Sequence, residues 1–158
     1  MHKALTLGSL FDGSGGFPLG GLLCGIEPVW ASEIEPFPIR VTTKRFPWMK
    51  HLGDISQING AEIPPVDIVT FGSPCTDLSI AGRRDGLTGK QSSLFFEAIR
   101  IIKEMRAVSD GIYPRWIIWE NGCYALQCIR YVMARKQLCI SLPAKAKKQA
   151  NLRLLLCA

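Results

Sequence analysis

The chain lacks the sequence features that mark several common protein classes. No apolar run approaches the roughly 18 residues that a membrane-spanning helix requires, and the N-terminus has no long apolar segment of the kind found in secretory signals. No CxxC motif or cysteine–histidine pairing has the spacing of a zinc site, and the two histidines, His2 and His51, lie far upstream of most cysteines. These absences predict a soluble, cytoplasmic protein with reduced thiols and no metal site.

Acidic residues are absent from the last 36 residues of the chain. Residues 123–158 hold 7 Lys and Arg and no Asp or Glu, whereas residues 1–122 hold 12 basic and 13 acidic side chains. The net charge of +6 is therefore a property of the tail, which also carries four of the six cysteines. A basic tail can contact phosphates, but this composition favours an unstructured end over a nucleic-acid-binding one.

Residues 1–122 are apolar enough to build a core, and they alternate between strand-like and helix-like segments. The predicted strands are Ala4–Phe11, Val29–Ser32, His51–Gly53, Val66–Phe71 and Trp116–Trp119. The predicted helices are Pro18–Cys24, Pro36–Arg45 and Leu94–Met105. This alternation predicts a parallel sheet of about five strands with right-handed crossovers, which is a Rossmann-like α/β domain.

A glycine-rich turn joins the first predicted strand to the first predicted helix. It reads Phe11-Asp12-Gly13-Ser14-Gly15-Gly16, and glycines at such a turn let backbone N–H groups approach a ligand closely. Glu33 and Glu35 follow the second strand about 20 residues downstream, where Rossmann-like folds place a carboxylate that binds ribose hydroxyls. Each feature alone also fits an ordinary turn or a solvated strand end, but together they favour an adenosine-containing cofactor.

Cys75 and Glu120 each follow a predicted strand, so both belong to the carboxyl edge of the sheet, where ligand crevices open. A thiol in a polar loop at that edge can act as a nucleophile. A carboxyl beside Trp119 can have a raised pKa and donate a proton. From these residues alone two other interpretations stay open, a small buried cysteine and an acid at the start of a helix.

These motifs occur in an order and spacing that resemble the amino-terminal half of the C5-cytosine DNA methyltransferases. The matching segments, within about residues 4–121, are Phe11–Gly16, Glu33, Asp54-Ile55, Gly72-Ser73-Pro74-Cys75-Thr76-Asp77-Leu78-Ser79 and Glu120-Asn121. The resemblance implies a Rossmann-like, S-adenosylmethionine-dependent methyltransferase fold that is incomplete at its C-terminus.

The resemblance also implies a reaction. A thiolate matching Cys75 adds to C6 of cytosine, while the carboxyl matching Glu120 hydrogen-bonds or protonates N3. C5 then accepts the methyl group of S-adenosylmethionine, and loss of the C5 proton and of the thiolate restores aromaticity. The substrate it implies is double-stranded DNA whose target cytosine has been flipped out of the helix.

Further site residues follow from their positions in the matching motifs. The resemblance implies that the glycine turn holds the methionine end of the cofactor, Glu33 the ribose, and Asp54 and Ile55 the adenine. The full set implied to bind the cofactor is Phe11, Asp12, Gly13, Gly15, Gly16, Glu33, Ile34, Asp54, Ile55, Pro74 and Leu94. The loop that faces DNA in the family would present Ser79, Arg83 and Arg84.

The sequence departs from the family pattern in three respects. Thr76 replaces a glutamine that commonly follows the cysteine, Gly122 stands where valine is expected, and nothing from Cys123 onward matches. We therefore divide the chain into a partial methyltransferase domain at 1–122 and an unrecognised basic tail at 123–158. We hypothesise that the tail is out of the ancestral reading frame or reflects truncation. Translation of the other two frames beyond codon 122 tests this, because a frameshift requires a Val-Pro-Gly continuation in one of them.

Functions other than that of an active DNA methyltransferase also stay open. The missing target-recognition region and final strands predict little or no catalysis by the isolated chain, and an apolar sheet edge that is left unpaired. The chain could instead be a non-catalytic remnant that binds cofactor or nucleic acid, or half of a split enzyme completed by another chain. A transfer-RNA cytosine methyltransferase is a further option, whereas a nicotinamide dehydrogenase would leave Cys75 and Glu120 unexplained.

Overall fold

The computed structural model describes residues 4–72, 92–122 and 151–157. Within these ranges the elements are, in chain order, β1 (Thr6–Leu10), α1 (Gly16–Leu23), β2 (Glu27–Ser32), α2 (Pro36–Arg45), β3 (Lys50–His51), a 3₁₀ turn (Ile55–Gln57), β4 (Ile68–Phe71), α3 (Ser92–Val108), β5 (Trp116–Gly122) and β6 (Asn151–Cys157). None of the helices in these ranges combines the length and the apolar character needed to cross a membrane.

The strands form one sheet in the order β3-β2-β1-β4-β5-β6. Neighbouring strands from β3 to β5 are parallel, and β6 is antiparallel to β5. The strand order reverses between β1 and β4, so the connections that leave these two strands diverge and open a crevice beyond their carboxyl ends. Ligands of open α/β sheets bind at this kind of switch point.

Helix α3 covers one face of the sheet and supplies much of the main apolar cluster. Its apolar residues recur at helical spacing, so they share one side of the helix. The buried ones are Phe95, Ala98, Ile101, Ile102 and Met105. The Phe95 ring centroid lies 5.1 Å from that of Trp119 and 6.0 Å from that of Phe71, which joins α3 to β4 and β5. A smaller cluster, in which Phe46 packs with Ala31 and Met49, contains the residue that directly follows α2.

The missing side chain at Gly8 makes room for a tryptophan in the middle of the sheet. Gly8 in β1 lies opposite Trp30 in β2, whose indole is fully buried. A Cβ atom at Gly8 would lie 2.1 Å from the indole ring. The ring is also held in place, because Trp30 Nε1 donates a hydrogen bond to the carbonyl of Pro64 at 2.9 Å. Any side chain at position 8 must therefore displace the indole or break this bond.

We expect Gly8→Ala to lower the free energy of unfolding by about 1–3 kcal/mol, the usual cost of overpacking a core. Urea denaturation with tryptophan fluorescence measures this change. Gly20→Ala is the matched control, because Gly20 lies in α1 with open space around the added methyl group. Alanine there is expected to be neutral or slightly stabilising. Equal stability of Gly8→Ala and the wild type would contradict the packing argument.

The five parallel strands and the three helices between them confirm the predicted fold class. Helix α2 has the predicted bounds, whereas β5 continues three residues beyond Trp119 and β3 is confined to Lys50–His51. The expectation of an unpaired edge beside β5 was wrong, since β6 pairs with it over seven residues. The basic tail contains an apolar run, Leu154–Leu156, and the backbone of that segment supplies the hydrogen-bonding partners that β5 would otherwise lack.

Candidate active site

A cleft opens at the carboxyl edge of the sheet, at the switch point between β1 and β4. Its volume is about 360 Å³, which lies within the range of small-molecule sites. The walls come from the ends of β1, β2 and β4, the 3₁₀ turn and the start of α3. The lining residues are Phe11, Ser32, Glu33, Ile34, Glu35, Asp54, Ile55, Gly72 and Leu94.

Six of the residues that the sequence predicted to bind a cofactor line this cleft. They are Phe11, Glu33, Ile34, Asp54, Ile55 and Leu94. Four others belong to the adjacent glycine turn but do not line it, namely Asp12, Gly13, Gly15 and Gly16. Of the other predicted site residues, Glu120 is described, whereas Pro74, Cys75, Ser79, Arg83 and Arg84 lie outside the described residues. Ser32 and Gly72 were not among the predicted cofactor-binding residues, although Ser32 ends one predicted strand and Gly72 directly follows another.

The glycine turn holds its shape through residues in the left-handed region of backbone space. Phe11 has φ of 54°, Gly13 of 56° and Gly15 of 84°. A Cβ atom at Gly15 would lie 2.9 Å from Thr42 Cγ2 and 3.0 Å from the Phe46 ring, so this glycine lets α1 pack closely against α2. At Gly13 a Cβ atom would meet no neighbour within 4 Å. Of these two glycines, only Gly15 is needed for the close contact between α1 and α2.

The carboxylate of Glu33 joins the glycine turn to the end of β2. Its Oε2 accepts a hydrogen bond from the Gly13 N–H at 2.8 Å, and its Oε1 accepts from the N–H groups of Ile34 at 2.7 Å and Glu35 at 3.0 Å. A carboxylate oxygen accepts about two hydrogen bonds. Oε1 is therefore filled, and Oε2 can accept one further donor, such as a ligand hydroxyl.

Two more polar groups fix the other wall of the cleft. Ser32 Oγ donates to the carbonyl of Gly53 at 2.7 Å, which ties the end of β2 to the segment after β3. Asp54 Oδ1 accepts from the Ser56 N–H at 2.9 Å and so caps the 3₁₀ turn. Within the described part of the chain, Asp54 Oδ2 has no hydrogen-bond partner and is available to a ligand donor. Ile34 is 63% exposed at the mouth of the cleft, where it offers an apolar surface.

Asp12 lies beneath the turn, and its side chain is directed into the protein. It is only 6% exposed, and neither carboxylate oxygen has a hydrogen-bond partner within the described ranges 4–72, 92–122 and 151–157. Burial raises the pKa of Asp12 to about 6, and the charge of Glu33 adds to that rise. The nearby Ser9 hydroxyl opposes part of the pKa rise, although Ser9 Oγ also lacks a partner with hydrogen-bond geometry. Ionisation of Asp12 therefore lowers the free energy of unfolding.

At the opposite side of the cleft, Glu120 lies beside Gly72. Phe71 of β4 is paired with Trp119 of β5, so the residues that follow them are neighbours at the edge of the sheet. A Cβ atom at Gly72 would lie 3.3 Å from Glu120 Oε2, so a glycine here admits the carboxylate. Because Gly72 lines the cleft, the Glu120 carboxyl group stands at its border.

Comparison with known proteins gives a family match over most of the chain. The family described as "C-5 cytosine-specific DNA methylase" matches residues 5–126. Type II methyltransferase M1.ScrFI of Lactococcus lactis subsp. cremoris is 41% identical over 113 residues, which are 71% of this chain and 27% of that protein. A DNA N-6-adenine-methyltransferase of Escherichia phage P1 is 34% identical over 126 residues, covering 75% of this chain and 17% of that protein.

A solved structure has the same fold as this chain. The S. pombe Dnmt2 methyltransferase matches with a TM-score of 0.66 and 18% identity, over 97% of this chain and 50% of that one. The two curated relatives above are much longer, since the chain spans about a quarter and a sixth of their lengths.

We expect Asp12→Asn to stabilise the protein at pH 8, and the gain to shrink as the pH falls towards 4. The pKa of Asp12 is 3.8 in the unfolded chain and about 6 in the fold, so stability is lost as the pH rises between these values. The difference corresponds to about 3 kcal/mol at most. Urea denaturation from pH 4.5 to 8 measures the gain, with exposed Glu27→Gln as the charge control. A gain that does not change with pH would contradict the burial argument.

Proposed function

Since this chain belongs to the C-5 cytosine-specific DNA methylase family, we propose that it is the amino-terminal catalytic part of a DNA (cytosine-5-)-methyltransferase. The observation that carries the proposal is the position of Glu120, whose carboxylate borders Gly72 at the edge of the cleft formed by Phe11, Glu33 and Asp54. The carboxyl group proposed to contact the cytosine ring therefore lies at the edge of the cleft proposed to hold the methyl donor. Cys75 follows Gly72 by three residues in the sequence.

The residues of the cleft fit S-adenosylmethionine. Apolar side chains of Phe11, Ile34 and Ile55 provide surfaces for a purine ring, while Glu33 Oε2 and Asp54 Oδ2 can accept hydrogen bonds from hydroxyl or amino groups. This cofactor carries a methyl group on a sulfonium centre and supplies it to a nucleophilic carbon. The sulfonium is cationic, and two carboxylates near the turn favour a positive charge there.

In the proposed reaction, cytosine becomes nucleophilic only after an addition at C6. The Cys75 thiolate would form a bond to C6, and Glu120 would hydrogen-bond or protonate N3 and so take up the charge that develops in the ring. The activated C5 would then bond to the methyl group while the bond between that group and the sulfonium sulfur breaks, so that the cofactor would leave as S-adenosylhomocysteine. Loss of the C5 proton, with departure of the Cys75 thiolate from C6, restores the aromatic ring.

The proposed substrate is a cytosine flipped out of double-stranded DNA, since neither face of a stacked base is accessible to a thiol and a methyl donor at once. Ser79, Arg83 and Arg84 would contact the DNA beside that base. Because the chain spans only part of its relatives' length, we propose that sequence recognition requires a segment or partner chain that supplies the remainder. A non-catalytic chain that binds the cofactor is the second candidate, since the residues lining the cleft fit that ligand on their own.

We expect Glu33→Gln to weaken binding of S-adenosylmethionine by about 10- to 150-fold, because a hydrogen bond to a charged acceptor contributes about 1.5–3 kcal/mol. Isothermal titration calorimetry with the full chain measures the dissociation constant. Glu27→Gln, at the opposite end of β2, should bind as the wild type does. Unchanged affinity in Glu33→Gln would remove this carboxylate from the cofactor site, and no binding by the wild type would refute the assignment of the cleft.

We expect any methyl transfer by the full chain to produce 5-methylcytosine and to fall to background in Cys75→Ser, because a hydroxyl adds to C6 far less readily than a thiolate. Incubation of cytosine-containing DNA with labelled S-adenosylmethionine, followed by nucleoside analysis, measures this. Cys24→Ser is the control, since Cys24 is an exposed thiol at the end of α1.

Transfer that survives Cys75→Ser, or label recovered on adenine, would contradict the proposed reaction. Cofactor binding by the wild type without any transfer would instead favour the second, non-catalytic candidate.

A further inference from the structure

The segment between β3 and β4 forms one wall of the cleft but contains little regular structure. It carries Asp54 and Ile55, and its only helical piece is a single 3₁₀ turn, Ile55–Gln57. Around the 3₁₀ turn, the side chains of Ile55 and Ile58 are buried in the core. Side-chain burial alone does not fix the backbone carbonyls and N–H groups of a short loop. A ligand that binds this wall requires them to be fixed.

Hydrogen bonds from Ser32 and Trp30 hold the two ends of this segment, at Gly53 and Pro64, and an arginine of α3 holds the backbone between them. Arg100 Nη2 donates to the carbonyl of Ile55 at 3.1 Å, and Nη1 donates to the carbonyl of Ile58 at 2.8 Å. These contacts join residues that are 45 and 42 positions apart in the sequence. The carbonyl of Ile55 belongs to a residue that lines the cleft, so the guanidinium is directly behind the wall.

Two glutamates hold the guanidinium in turn. Glu97 Oε2 accepts from Nε at 2.9 Å and from Nη2 at 2.7 Å, and Glu104 accepts from Nη1 at 2.9 Å. With the two carbonyls, these acceptors account for all five N–H groups of the guanidinium. Lysine carries three donors on one atom and no planar fork, so it cannot replace this arrangement.

Glu104 extends the same contact to the end of the segment. Its Oε2 accepts from the Gly60 N–H at 2.7 Å. Burial would raise the pKa of Glu104, but the Gly60 hydrogen bond and the Arg100 guanidinium outweigh it and lower this pKa, so the carboxylate stays ionised. A Cβ atom at Gly60 would lie 2.2 Å from the carbonyl oxygen of Ile101, which shows how closely α3 approaches the segment.

From this geometry we infer that Arg100 is a positioning residue for the purine end of the cofactor, acting through residues 54–60 without touching the ligand. The inference rests on the proposed function. Its chemical consequence is selectivity: with the segment fixed, Asp54 Oδ2 is a hydrogen-bond acceptor in a set position. An adenine 6-amino group can donate to that oxygen, whereas the carbonyl of hypoxanthine cannot.

The test compares two ligands on the full chain, S-adenosylhomocysteine and its inosine analogue, by calorimetry. The wild type is expected to prefer the adenine ligand by about tenfold or more, the effect of one such hydrogen bond. In Arg100→Lys that preference should fall to about twofold or less, mainly through weaker binding of the adenine ligand. A general loss of stability would weaken both ligands alike and leave the preference unchanged.

Arg106→Lys is the matched control on the same helix. Arg106 Nη1 donates to the carbonyl of Pro114 at 3.0 Å, away from the cleft, so this variant should keep the wild-type preference. Hydrogen exchange without ligand gives an independent readout. The amides of residues 56–60 should exchange about tenfold faster in Arg100→Lys and at the wild-type rate in Arg106→Lys.

An unchanged adenine preference in Arg100→Lys, or unchanged exchange at residues 56–60, would overturn the inference. If the wild type bound neither ligand, the proposed function would fail. The inference that Arg100 positions the purine end of the cofactor would then fail with it. The exchange experiment would then still decide whether Arg100 orders this segment, so the two failures can be told apart.

Discussion

The Glu33 carboxylate accepts hydrogen bonds from three backbone N–H groups, and the shape of the cleft depends on them. Gly13 belongs to the turn before α1, whereas Ile34 and Glu35 precede α2, so one side chain fixes the starts of two helices. Helix N-termini carry partial positive charge and favour an anion beside them. If the carboxylate were removed, these N–H groups would need other partners, and the Asp12 N–H, which donates to the carbonyl of Ser32 at 3.0 Å, would remain as the tie between the turn and β2.

The negative charge that organises the turn also has a cost. The Asp12 carboxylate is buried and has no hydrogen-bond partner among the residues that the structure describes, and the charge of Glu33 adds to the burial that raises its pKa. Natural folds tolerate an unsatisfied buried acid mainly where function requires the local geometry. The balance between the two carboxylates therefore links the stability of the domain to the shape of its cleft.

The sequence predicted the parts of the fold that depend on local patterns. Helix α2 begins at Pro36, a residue favoured in the first turn of helices, and its bounds were predicted correctly. The burial of the Asp12 carboxylate was not predicted, and neither was the positive φ of the preceding Phe11, a residue type that rarely adopts one. The hydrogen-bond partners of Arg100 could not be predicted either. The sequence pattern of α3 identifies its apolar face but not the distant carbonyls that an arginine on it will contact. Strand β6 was missed because its pairing with β5 joins segments far apart in the chain.

The antiparallel pairing of β6 with β5 has a topological consequence. Gly122, the last residue of β5, is paired with Asn151, the first residue of β6. The chain thus leaves and re-enters the sheet at two adjacent points, both on the border where Glu120 stands. A fold closed in this way can exchange the intervening stretch for one of different length or origin without altering the strands on either side. Such a junction offers evolution a place to insert new segments directly beside the cleft.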